Sequence, residues 1–94
     1  MNKPPIITIT ANGASADVGI AGPMHGSFTG AFGGASITIE ASLDGGATWA
    51  PDVDTEFDSA RTFALPHVSS CRIRAQTTGA TGSTNVALTL RPIV

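Results

Sequence analysis

Four carboxylates at alternate positions, Asp52, Asp54, Glu56 and Asp58, are the densest set of potential metal ligands in this chain. Hard oxygen donors of this kind suit Ca²⁺. A Ca²⁺ loop of the EF-hand type needs a central glycine and a glutamate at its twelfth position, and this stretch has neither. Like charges along one strand face repel, so the four cannot be buried together without a cation. Residues 52–60 therefore read as a solvated, extended connection. A short helix through Val53, Phe57, Ala60 and Ala64 is the alternative. No metal or cofactor is expected.

Other chemistry has less to work with. Glycoside hydrolysis by paired carboxylates needs one acid in an apolar pocket, and no stretch suggests one. A serine nucleophile would be expected in a Gly-x-Ser-x-Gly turn, which the chain lacks. The single Cys71 cannot form an internal disulfide. Its alternating neighbours make it a small buried hydrophobe rather than a reactive thiol. His25 and His67 follow Met24 and Pro66 and read as exposed loop residues. The glycine pairs lie between candidate strands, not before helices, so they form no phosphate cradle. The chain reads as a non-enzyme.

The most specific local pattern is Ser42-Leu-Asp-Gly-Gly-Ala-Thr-Trp49. Asp44 is expected to hydrogen-bond the backbone two residues on. Gly45 and Gly46 supply positive φ, so the chain reverses tightly between two strands. Trp49 opens the return strand and is expected to lay its indole on the core. In this reading Ser42, Asp44, Gly46 and Trp49 are turn-building residues, and the aspartate is not catalytic.

The elements around this turn are short strands. Alternation or β-branching predicts them at 6–10, 17–21, 27–32, 35–42, 48–51, 62–65, 70–77 and 85–91. The expected inward set includes Phe28, Phe32, Ile37, Ile39, Trp49, Phe63, Ile73, Leu88 and Leu90. Residues 78–83, rich in Thr and Gly, read as a mobile hairpin tip. About eight short strands separated by turn signals predict one all-β domain over 1–94, an antiparallel sandwich of jelly-roll or immunoglobulin-like type.

Composition limits the partners. The 94 residues carry five Lys and Arg against seven Asp and Glu, a net charge of −2. That balance argues against nucleic acid, although Arg72, Arg74 and Arg91 could form a small basic stripe. No apolar stretch approaches the roughly 20 residues of a membrane helix. The N-terminal apolar run is too short for a signal peptide, so synthesis in the cytoplasm is expected. One Trp, no Tyr and four Phe leave few aromatic platforms for sugars. Outward positions are mostly Ser and Thr, which suits a chain that lies against partners. The only Lys is Lys3, so little discourages strand edges from pairing. Residues 1–5 read as an extended arm, and Lys3, Pro4, Pro5, Ile6 and Ile7 are the expected interface.

The octapeptide resembles the Asp-box hairpin of sialidases, other β-rich proteins and many phage virion proteins. A wider resemblance runs through Phe32-Gly-Gly-Ala35, Asp44-Gly-Gly-Ala-Thr-Trp49, Arg72-Ile-Arg74, Thr78-Gly-Ala-Thr-Gly82 and Val86-Ala-Leu-Thr-Leu90. This pattern is similar to small structural proteins of tailed bacteriophages; the first 25 residues lie outside it. The resemblance implies a β-sandwich virion component without catalytic residues. Capsid decoration, the head or neck, or a fibre base are the expected locations. Capsid or tail proteins would be its partners, in a homo-oligomer for which a trimer is expected. A carbohydrate-binding module or receptor-binding tip is the alternative.

Overall fold

The computed structural model describes residues 6–52, 56–65 and 70–92, and no helix occurs among them. Nine strands form: β1 (Ile6–Ile9), β2 (Gly13–Ala14), β3 (Val18–Ala21), β4 (Met24–Ala31), β5 (Ser36–Ser42), β6 (Ala50–Pro51), β7 (Arg61–Leu65), β8 (Ser70–Thr78) and β9 (Asn85–Pro92). They make two antiparallel sheets. The first has the order β1-β9-β4-β7, and the second β2-β8-β5-β6 with β3 also paired to β8. Every described strand pairing is antiparallel.

Alternation sets the inner and outer faces. Along β8, Cys71, Ile73, Ala75 and Thr77 are buried, while Arg72, Arg74 and Gln76 are half-buried on the opposite face. Along β9, Val86, Leu88 and Leu90 are buried in the same way. Side chains from both sheets meet in one core. All four phenylalanines pack together. Phe28 lies 4.8 Å from Phe57, 5.4 Å from Phe63 and 6.1 Å from Phe32, measured between ring centroids. Phe63 rests directly on Gly26, where a Cβ would collide with its ring.

Several sequence expectations change. The described residues form nine strands rather than about eight, because Gly13 and Ala14, outside the expected strands, pair with Thr77 and Gln76. The strand expected from residue 27 begins at Met24, since Met24 and Gly26 continue the inward row of Phe28. Phe57, unassigned between the acidic residues, is a fully buried core residue. It exchanges two 2.8 Å backbone hydrogen bonds with Ile37, so the chain here is extended.

Trp49 is not in the core. Its neighbour Ala50 stands opposite Ala41, on the inner side, so Trp49 falls on the outer side with Glu40 and Ser42. Side-chain hydrogen bonds reach the tip at 78–83 and its flank. Thr84 Oγ donates to Phe32 O at 2.8 Å, Thr81 Oγ donates to Gly33 O at 2.8 Å, and the Ala80 amide donates to Asn12 Oδ1 at 2.7 Å.

Candidate functional site

The β5–β6 hairpin is built by side chains that satisfy its backbone. Ser42 is buried at the end of β5. Its hydroxyl accepts from the Gly46 amide at 2.8 Å and donates to Asp44 Oδ1 at 2.7 Å. Asp44 Oδ1 also accepts from the Thr48 amide at 2.9 Å, and Oδ2 accepts from the Thr48 hydroxyl at 2.5 Å. Asp44 thus reaches four residues forward, not two as expected. Gly45 and Gly46 take φ of +76° and +101°, which permits the reversal. The Thr48 hydroxyl first, then Ser42 and the Thr48 amide, hold the Asp44 carboxyl far below its ordinary range. An acceptor engaged this fully is a turn clamp, kept ionised and poorly suited to proton transfer.

Trp49 closes the turn over the outer face of the second sheet. Its indole N–H donates to Gly46 O at 3.1 Å. The Arg74 guanidinium lies 4.3 Å from the ring centroid, and Arg74 Nε donates to Glu40 Oε1 at 2.7 Å. Arg72 beside it pairs with Asp17 at 2.8 Å. That hydrogen bond to Arg72 lowers the Asp17 pKa and raises that of Arg72. Two arginines of the expected basic stripe are therefore each neutralised by a carboxylate. These pairings join residues far apart in sequence, and sequence reasoning missed them.

Leu43, at the start of the turn, is 76% exposed. Two open clefts flank it. One, of about 430 Å³, has Gly19, Ala21, Ser70 and Arg72 among its walls. The other, of about 280 Å³, is bounded by Ala41, Asp44, Thr48, Trp49 and Ala50.

The remaining candidates are scattered. Asp52 is half-buried and its amide donates to Ile39 O at 2.8 Å. Glu56 and Asp58 are exposed on either side of buried Phe57, and Asp54 lies outside the described residues. No group of three or more potential metal-ligating His, Cys, Asp or Glu side chains occurs among the described residues. Cys71 is buried, and burial chiefly, with the charge of Asp52, pushes its thiol pKa up. His25 is exposed but sits within β4 rather than in a loop. His67 lies outside the described residues, as do Lys3, Pro4 and Pro5. Of the expected interface, Ile6 is 60% exposed, whereas Ile7 is buried in the core.

The outer face of the first sheet is uniform in chemistry. Strand register sets Ile6, Thr89, Ser27 and Thr62 in one cross-strand row, and Ala87 and Thr29 in the next beside Thr8. Among the described residues these two rows carry no titratable or charged side chain; the row at one end pairs His25 with Arg91 and Ala64. No family model, curated protein or solved structure matches the chain.

Proposed function

We propose that this chain is a non-enzymatic structural protein of a tailed-bacteriophage virion, a capsid decoration or head/neck-associated protein. In this reading the two sheets form a β-sandwich of jelly-roll or immunoglobulin-like type. The supporting observation is the outer face of the first sheet, a four-stranded surface mostly of Thr, Ser and Ala with one exposed isoleucine and with His25 and Arg91 at one end. Short side chains on a broad sheet lose little rotamer entropy on contact and let a partner surface approach closely. The partners are capsid or tail proteins, and the protein self-associates, as a trimer in the simplest attachment to a particle axis.

The test is sedimentation with purified virions. Thr29→Lys together with Thr89→Lys should abolish co-sedimentation while leaving the unfolding transition in place. Retained co-sedimentation would reject this face as the attachment surface, and absence of the protein from virions would reject the reading.

A second reading, a carbohydrate-binding module or receptor-binding tip, draws on Trp49. The ring lies on the outer side of its sheet and borders the 280 Å³ cleft beside Asp44 and Thr48. An aromatic wall with polar groups at its rim suits a sugar ring. Glycan binding that disappears in Trp49→Ala would favour this reading over the first.

A further inference from the structure

We infer that β1 is a self-pairing edge, joining two copies of the chain about a two-fold axis at Thr8. The inference rests on the self-association proposed above and gives it at this edge as a two-fold dimer in place of the trimer.

Five border strands can be compared. β2 and β6 are two residues long, and β6 ends in Pro51. β3 is flanked by Asp17 and by Gly22-Pro23, and β7 begins with Arg61. Shortness, proline and charge are the usual means of keeping an edge from pairing. β1 is the border of the first sheet among the described strands; it is as short as β3 and follows Pro4-Pro5 in sequence, but residues 6–10, Ile-Ile-Thr-Ile-Thr, contain neither charge nor proline. Ile6, one of only two exposed large hydrophobic residues described, lies on this strand.

The occupant follows from the inward and outward pattern of the strand. Residues directly opposite in an antiparallel pair point to the same side. Ile7 and Ile9 point inward, 5% and 4% exposed, while Ile6, Thr8 and Thr10 point outward. Reversed about Thr8, this pattern superimposes on itself. Thr8 meets Thr8 of a second copy, Ile7 meets Ile9, and Ile6 meets Thr10. Both apolar residues then continue the core across the junction, and the exposed Ile6 gains a neighbour. No like charges are brought together, which would otherwise oppose pairing a strand with itself. The contact is isologous and closed, so this edge yields a dimer with a continuous eight-stranded sheet rather than a trimer.

The register makes the test specific. Opposed strand residues have Cα atoms about 4.5–5.5 Å apart, within the roughly 4.4–6.8 Å that a disulfide spans. Thr8→Cys should therefore cross-link to itself under mild oxidation. Ile6→Cys and Thr10→Cys should each stay uncross-linked alone, since each lies about 13 Å from its own copy along the strand. Mixed together, those two should cross-link. The unsubstituted chain, whose Cys71 is buried, is the control.

Sedimentation velocity up to millimolar concentration should show a monomer–dimer equilibrium. Thr8→Lys should weaken it about tenfold by opposing two ammonium groups. Because the Thr8 side chain is exposed, the unfolding transition at high dilution should not move. A strict monomer at the highest concentration, a dimer indifferent to Thr8→Lys, or cross-linking by Ile6→Cys alone would overturn the proposal. These readouts use the isolated chain alone, so their failure would leave the virion-attachment test unaffected.

Discussion

The Arg74 guanidinium covers the Trp49 ring at 4.3 Å while its Nε is held by Glu40 at 2.7 Å. The single tryptophan of the chain therefore reports on this stack. Arg74→Ala should shift Trp49 emission to longer wavelength and cost about 1 kcal/mol in urea denaturation. Trp49→Ala should cost about 1–3 kcal/mol, below the roughly 3–5 kcal/mol of a fully buried aromatic.

Asp44 should make acid sensitivity local to the hairpin. Its folded-state pKa lies below its ordinary value of 3.8, so it binds a proton more readily when unfolded. Its contribution is present above that ordinary value and is lost as pH falls toward the folded-state pKa. In pH-dependent thermal unfolding, Asp44→Asn should flatten the decline below about pH 4 relative to the unsubstituted chain.

Phe57→Ala should be the most damaging single change tested, at about 3–5 kcal/mol, because it removes a fully buried ring between Phe28 and Phe63. Gly26→Ala attacks the same cluster from the other side. Its Cβ would enter the space of the Phe63 ring, at a cost of about 1–3 kcal/mol. Chemical denaturation of both variants checks the order.

The 78–83 segment should be protected from hydrogen exchange where its amides are engaged. The Ala80 amide is held by Asn12, and the Thr81 amide by Thr84 Oγ at 2.9 Å. Both should exchange slowly, and Thr84→Val should accelerate Thr81 specifically. Fast exchange at both positions in the unsubstituted protein would restore the mobile tip expected from composition.

Strands with clean alternation were legible before any coordinates. Ile37 and Ile39, Ile73 and Ala75, and Leu88 and Leu90 all face inward as their spacing indicated. The turn at Ser42–Trp49 was legible as a turn, but its internal wiring was not. Which donor reaches which Asp44 oxygen depends on the path through two positive-φ glycines. Trp49 was misplaced because its place at the close of the turn was taken to aim it at the core, whereas strand parity with Glu40 and Ser42 puts it outside. Phe57 was hidden by its carboxylate neighbours, whose alternation suggested solvent for the whole segment. The pairing of Asp17 with Arg72 crosses 55 positions and has no local signal.

β8 and β9 follow the other described strands in sequence, and each occupies an interior position in its sheet. β9 separates β1 from β4 by hydrogen-bonding both, and β8 joins β5 to β2 and β3. A nascent chain that has emerged only as far as residue 69 thus holds the flanks of both sheets without either centre. Cooperative folding of this domain must wait for β8 and β9, and any product cut short of residue 85 leaves β1 and β4 without the strand that divides them. Such fragments would present unpaired sheet edges to one another, a route to aggregation that β9 closes.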